Sequence, residues 1–369
     1  MDNENFQTFF DCGSSKVRAG TFNTNNNEEA FYNDSEFFTD HLNLEIIIQK
    51  MVTSLEKDSK KYIDNISLMI DSPEILSVGF SLSKKLDGSV LKQRNIQFLV
   101  QEAKQQILKY YEDHNIIHII INSYKIDDVD YTYLPDEIKC DFISLDIFFI
   151  CIPTNLVHYF KNIFSKSNIL INQVICSSYA KSINYKDRLN LSGYSSFIDV
   201  GFKKTSIITY YNDTILSLDV LPIGGNHITK DISKILEIDL KKSEQKKLNF
   251  DKNLKHSNYE DLPKNVLEKI IFARTEEILE LSGKSIQSNF NTPTKLKMVL
   301  MGEGSKILDN QHKDKISFLN DIDFLEETLE DICQSGLRFV AGLNKQEVVV
   351  VPKKHTKQGF FEKFFHFFG

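Results

Sequence analysis

Two stretches carry the residues that could do chemistry. In Phe197-Ile198-Asp199-Val200-Gly201-Phe202-Lys203-Lys204-Thr205-Ser206-Ile207 an apolar run ends in an Asp and a Gly, and a Thr-Ser pair then opens a second apolar run. The pattern predicts a hairpin whose turn presents a carboxylate, backbone N–H groups and hydroxyls on one side. A phosphate with a metal ion is the natural guest of such a turn. The same order occurs near the start of the chain. An apolar run over 6–10 leads into Asp11-Cys12-Gly13-Ser14-Ser15, and Lys16-Val17-Arg18-Ala19-Gly20-Thr21-Phe22 forms the second strand. Two such turns far apart in sequence predict two similar halves that face each other.

The elements that position these turns follow from periodicity and breakers. A helix is predicted over 42–57 and a strand over 66–70; Ser72-Pro73 then breaks the chain before an apolar run at 75–80. From residue 81 the pattern changes. Asp87-Gly88 reads as a turn, and Ile96, Leu99, Val100, Ala103, Ile107, Leu108 and Tyr111 trace one face of a long amphipathic helix. Strands over 116–121 and 142–152 flank a polar, Tyr-rich connection, which makes 81–152 a βαββ-like inserted block. A helix over 155–164 and a strand over 169–175 return to the first half. After Asp231 the reading is helical (231–238, 241–250 and 262–286). Leu296-Lys297-Met298-Val299-Leu300-Met301 then runs into Gly302-Glu303-Gly304-Ser305, a strand ending in a Gly-containing turn and a helix.

Composition bounds the partners. The 369 residues are 41% hydrophobic and 26% charged, an ordinary globular balance. A net charge of −7 argues against a nucleic-acid partner. The five cysteines (Cys12, Cys140, Cys151, Cys176, Cys333) are scattered, with no Cys-x-x-Cys pair, and read as reduced core thiols of a cytosolic protein. The polar, acidic start is not a signal peptide, and no apolar run reaches the roughly 20 residues of a membrane span. His114, His118 and His227 have no metal-ligand partners at recognisable spacing and read as core or solvated histidines.

Three strand-to-turn elements, at 11–15, 199–206 and 302–305, together resemble the phosphate and adenosine loops of the actin, sugar-kinase and heat-shock ATPase superfamily. The similarity narrows to the FtsA family of bacterial cell-division proteins. It rests on Phe10-Asp11-Cys12-Gly13-Ser14-Ser15-Lys16-Val17 and on Gly224-Gly225-Asn226-His227-Ile228-Thr229-Lys230-Asp231-Ile232. Ser243-Glu244-Gln245-Lys246-Lys247 and Ala273-Arg274-Thr275-Glu276-Glu277-Ile278-Leu279 complete it. The resemblance implies an α/β, actin-like two-domain fold with a central cleft. Subdomain 1A would be 1–80, 153–196 and 334–345, and the family's 1C would be the inserted block at 81–152. Subdomain 2A would be 197–230 and 293–333, and 2B would be 231–292. A linker and membrane-targeting amphipathic helix would fill 346–369.

For the site, the resemblance implies ATP with Mg²⁺. Asp11 and Asp199 would face each other and hold the hydrated ion, while N–H groups around Gly13, Ser14, Ser15 and Lys16 and around Gly201 and Thr205 would cradle phosphates. Gly224 and Gly225 would lie beside the nucleotide, Glu244 and Lys247 would contact ribose and adenine, and Gly302, Gly304 and Ser305 would border the adenosine. The sequence departs from the family pattern where Phe202, Lys203, Lys204 and Ser206 replace consecutive glycines and a closing Asp, and where Glu303 replaces a Gly. Bulky residues restrict the backbone freedom that glycine allows, so at most a slow ATPase is expected. Lys203 or Lys204 would supply charge to a phosphate.

The C-terminal stretch can be read without the resemblance, which also implies a helix there. Phe360, Phe361, Phe364, Phe365, Phe367 and Phe368 occupy an arc of roughly 160° on a helical wheel, after Lys353, Lys354 and Lys357. A helix lying on a membrane surface is the reading. The implied function is an adaptor that tethers FtsZ, through its C-terminal tail, to the inner face of the cytoplasmic membrane at the division site. It would recruit later division proteins and self-assemble into filaments that make weak anchors strong. Alternatives are a pilus-assembly scaffold of the same architecture, and a small-molecule kinase or chaperone ATPase. Against a kinase, no catalytic base stands out beside a phosphoryl acceptor.

Overall fold

The structure is a computed structural model, described over residues 6–25, 29–36, 44–135, 138–250, 264–289, 295–307, 322–342 and 347–348. The Phe-rich stretch at 360–368 and its basic linker lie outside the described residues.

The predicted duplication appears as two sheets of the same topology. The first runs β3 (Ala30–Glu36), β2 (Lys16–Asn23), β1 (Phe6–Cys12), β4 (Asn65–Ile70), β9 (Leu170–Cys176). The second runs β12 (Thr214–Leu221), β11 (Thr205–Tyr211), β10 (Tyr194–Val200), β13 (Leu296–Met301), β14 (Ile322–Phe324). In each, an antiparallel meander of three strands is extended by two parallel strands. Register makes the halves comparable residue by residue: Asp11 lies opposite Met69 of β4, and Asp199 lies opposite Met301 of β13.

Both central strands are buried on both faces, as parallel pairing beneath helices requires. Successive side chains of β1 point to opposite sides. Phe9 meets Phe22 edge-on at 5.9 Å, and Phe10 meets Phe164 of α3 (Thr154–Ser165) at 5.2 Å. Each fully buried ring contributes about 2–3 kcal/mol of transfer free energy. Helix α8 (Leu329–Val340) covers the Phe9 side so closely that a Cβ on Gly336 would lie 2.6 Å from the Phe9 ring. On the second sheet, α7 (Lys264–Asn289) buries Ile278, Leu279 and Ile286 against Ile198 and Ile207. One apolar core runs from the first sheet into the second through Phe197, Ile208 and Leu218.

The inserted block forms its own antiparallel sheet, β5 (Leu76–Val90), β8 (Lys139–Pro153), β6 (His114–Ile126), β7 (Val129–Tyr131), with α2 (Gln93–Tyr110) packed on it. It differs from expectation in three respects. Strand β5 begins at Leu76 and runs through residue 81, so no break occurs there. Asp87-Gly88 is an irregularity within β5, with φ of 50° and 75°, where pairing shifts between Lys85 and Ser89. Leu108, assigned to the buried face of α2, is 40% exposed.

Two further differences bear on the site. Helix α4 (Ser177–Arg188) was not foreseen, and α5 (Gly225–Leu236) starts at Gly225 rather than at 231. With α1 (Leu44–Ser59) and α6 (Leu240–Leu248) the helix set is complete among the described residues, where no helix is long and apolar enough to cross a membrane. The turn after β13 is a short 3₁₀ helix, Glu303–Ile307.

Candidate functional site: the interdomain cleft

The two Asp-x-Gly turns have the same geometry. The Gly13 N–H donates to the Lys16 carbonyl at 3.0 Å, and the Gly201 N–H donates to the Lys204 carbonyl at 2.8 Å. Each turn therefore spends on itself the N–H that a phosphate would use. Near the start of α5, the Gly225 N–H donates to the Gly201 carbonyl at 2.9 Å and the Asn226 N–H to the Phe202 carbonyl at 2.7 Å. The second loop and the first turn of α5 are thus bonded to each other. A Cβ on Gly224 would lie 2.5 Å from the Gly201 carbonyl oxygen, which is why that position is glycine.

Asp11 and Asp199, expected to hold a metal ion, are already engaged. Asp11 is 6% exposed; its Oδ1 accepts from the Ser177 hydroxyl at 2.6 Å and its Oδ2 from the Arg18 guanidinium at 3.1 Å. Asp199 is 4% exposed, with Oδ2 at 2.8 Å from the Lys181 ammonium. Lys181 also reaches Glu327 at 3.2 Å, and Glu327 accepts from the Tyr185 hydroxyl at 2.9 Å and the Gly302 N–H at 2.7 Å. Lys204, expected to meet a phosphate, instead pairs with Asp71 at 2.9 Å. Glu303, the departure in the third loop, pairs with Arg18 at 2.8 Å.

Charge and burial compete at these groups. Burial alone would raise the Asp199 carboxyl, but the charges of Lys181 and Lys204 outweigh it and leave it below the ordinary range. Glu303 is likewise lowered: burial opposes ionisation, and Arg18 and Lys306 prevail. Glu327 goes the other way, because its burial exceeds what Lys181 returns, and its carboxyl is raised. Burial works against the Lys181 charge too, yet Asp199 and Glu327 together keep its pKa above the ordinary lysine value.

This donor set does not fit a divalent cation. The carboxylates at the cleft floor face fixed cations, and no group of three or more His, Cys, Asp or Glu side chains converges on one point among the described residues. A hydrated Mg²⁺ at Asp11 and Asp199 would sit beside Arg18 and Lys181, and like charges a few ångströms apart in a desolvated site repel strongly.

Outside this floor lies a cleft with about 170 Å³ of space, smaller than most small-molecule sites. Ser15, Lys16, Gly225, Glu244, Lys247 and Gly304 line it, all of them expected from sequence; Glu36, Phe202, Glu303 and Lys306 line it unexpectedly. The remaining expected residues lie deeper or behind it. Thr205 is fully buried and donates to the Ile223 carbonyl at 2.8 Å. The Ser305 hydroxyl donates to the Gly302 carbonyl at 2.7 Å.

Gly302 and Gly304, expected to admit adenosine, admit strand β10 instead. A Cβ on Gly302 (φ 93°) would lie 2.4 Å from Asp199 Oδ1, and one on Gly304 would lie 2.8 Å from the Val200 carbonyl oxygen. Glu244 and Lys247 face the cleft but bond each other at 2.7 Å. Lys247 also donates to the Gly225 carbonyl at 3.0 Å and stands 5.4 Å from the Phe202 ring. Burial is the leading reason its pKa is lowered.

Sequence reasoning missed Arg18, Asp71, Ser177, Lys181 and Glu327. Arg18 could have been found: it stands directly opposite Asp11 in the hairpin register. The others meet the cleft only through tertiary folding.

Two similar half-sheets around a cleft, each opening with an Asp-x-Gly turn, make an actin-like fold. The solved PilM-PilN type IV pilus biogenesis complex shares the fold with a TM-score of 0.60 at 12% identity, over 91% of this chain and 96% of that one. The model of the cell division protein FtsA family matches residues 196–310. Over 73% of its length the chain is 25% identical to cell division protein FtsA of Buchnera aphidicola subsp. Schizaphis graminum, covering 69% of that protein. It is 23% identical to the FtsA of Buchnera aphidicola subsp. Acyrthosiphon pisum over 88% of this chain and 85% of that one. With the Agrobacterium fabrum FtsA it shares 21% identity over 72% of its length, spanning 63% of that relative, just under two thirds. Over these stretches the chain is similar to the FtsA cell-division proteins. Two of the runs that carry the resemblance meet in space, where Arg274 grips Asp231 through Nε at 2.6 Å and Nη2 at 3.1 Å.

Proposed function

We propose that this chain is an adaptor of the division machinery, binding the C-terminal tail of FtsZ and holding it at the inner face of the cytoplasmic membrane. The FtsA match over the second half of the fold is the observation that carries this reading. The Phe-rich stretch at 360–368 is the membrane contact, and filament formation multiplies its weak hold. The body recruits later division proteins, with the small sheet of β5 to β8 in the role of the family's 1C subdomain. The helical lobe of α5, α6 and α7 corresponds to subdomain 2B.

Of the two ligands that the family resemblance implies, the nucleoside would lie in the outer cleft, which Ser15, Lys16, Gly225, Glu244, Lys247, Gly304 and Lys306 line. The magnesium ion does not fit the carboxylates below it. The reading is therefore of a binding and assembly protein rather than a kinase. A pilus-assembly scaffold rests on likeness of fold alone, whereas the sequence matches favour division.

Co-sedimentation with anionic liposomes tests the reading, using full-length protein and a 359–369 deletion, each with an FtsZ tail peptide and with and without ATP. The full chain should pellet and carry the peptide with it, and the deletion should stay in the supernatant. Undiminished pelleting of the deletion, or a full chain that leaves the peptide behind, would sink the proposal.

A further inference from the structure

The floor of the cleft is an arrangement of ion pairs that cross from one half to the other. Arg18, on the β1–β2 hairpin of the first half, reaches Glu303, just after β13 of the second, at 2.8 Å. Lys204, on the β10–β11 hairpin of the second half, reaches Asp71, just after β4 of the first, at 2.9 Å. The internal duplication relates the two carboxylates, each two residues past the methionine opposite its Asp, whereas Lys204 matches Lys16 and Arg18 matches Ser206. In each, a hairpin cation of one half grips a carboxylate that follows the first parallel strand of the other. Between them Lys181, from α4 of the first half, holds Asp199 of β10 at 2.8 Å. The three cations are 6–7% exposed.

We infer that these three ion pairs, not a divalent cation, join the two halves, so that the closed cleft is the resting state of the protein without metal or nucleotide. A bridging metal would neutralise two facing carboxylates and link the halves at one point. Here Arg18 and Lys181 take over the neutralisation at Asp11 and Asp199. The crossing pairs take over the linkage, at three points. Because Arg18, Lys181, Lys204 and Asp199 are buried, bulk salt screens these pairs less than surface pairs. Interdomain closure is therefore built into the chain rather than supplied by a ligand, and the inference does not depend on the tethering role.

Amide hydrogen exchange on the full-length protein tests it, read over 197–206 and 299–306 at the junction and over 65–70 and 143–152 in the cores. In wild type, EDTA, Mg²⁺ alone, and Mg²⁺ with ATP should all give junction protection equal within about twofold. Glu303→Gln and Asp71→Asn each remove one crossing pair while Arg18 keeps Asp11 and Lys204 keeps the Ser206 hydroxyl. The double variant should exchange at the junction about tenfold faster than wild type, with the cores unchanged. A loss of wild-type junction protection of about tenfold in EDTA would overturn the inference, as would a gain of that size with Mg²⁺ and ATP or wild-type exchange in the double variant. The EDTA arm needs no variant, so the result stands even if a substitution impairs folding.

Discussion

Lys181 is the residue on which the most buried charge depends. It stands between Asp199 at 2.8 Å and Glu327 at 3.2 Å, all three buried. Removing one partner of a buried ion pair leaves the other charge unpaired, which costs about 3–5 kcal/mol. Lys181→Met should lower stability by about that amount, read as a shift of the urea midpoint. Asp213→Asn makes the contrast: its pair with Lys186 involves a carboxylate side chain 86% exposed, and the loss should stay below about 1 kcal/mol. None of this was legible at Lys181 itself. Its helix buries Ser177, Ser178, Ser182 and Asn184 rather than an aliphatic stripe, so hydrophobic periodicity passed over it.

At the scale of elements, the strand–turn–strand units were legible because an Asp-x-Gly between apolar runs is a local signal. The register of β1 with β2 and of β10 with β11 follows from it. What faces each turn was not legible. Gly302 looked like a ligand-facing glycine, yet the space at its Cα is taken by Asp199 and Val200. Gly302→Ala should therefore destabilise by about 2 kcal/mol or more, from positive φ together with steric conflict. Gly79 on β5 has open space around its Cα, and Gly79→Ala should be neutral or stabilising by up to about 1 kcal/mol. Thermal melts of the two variants, one falling and one not, check the distinction. The change of pattern at residue 81 falls inside β5, which is continuous from Leu76 to Val90.

For the whole molecule, the paired halves make stability depend on acid in a definite sense. Asp199 and Glu303 have folded-state pKa values below their ordinary 3.8 and 4.5, so they add stability above those values and lose it as pH falls through the lowered ones. Glu327, raised above its ordinary 4.5, has the opposite sign: its contribution is present below that value and is lost as pH rises through the raised one. Below about pH 4 the Glu327 contribution is already in place, so only the loss at Asp199 and Glu303 remains and urea midpoints should fall there. A midpoint that rises between about pH 4 and pH 3 would contradict these signs.

The last described residues of the chain are tied to the small sheet. Glu347 bridges Ile120 of β6 in antiparallel fashion, and the Val348 N–H donates to the Ile119 carbonyl at 2.8 Å. The buried His118 accepts the Cys176 N–H at its Nε2, so its Nδ1 carries the proton and donates to Glu347 at 2.5 Å. Tension on the chain beyond Val348 would thus load these bonds at β6 before it reached α8. Through His118 the load path continues to Cys176, at the entrance of α4, the helix that carries Ser177 and Lys181. A pull on the tail and the charge network of the cleft are therefore linked through the His118 imidazole, which also packs on Tyr179 of α4.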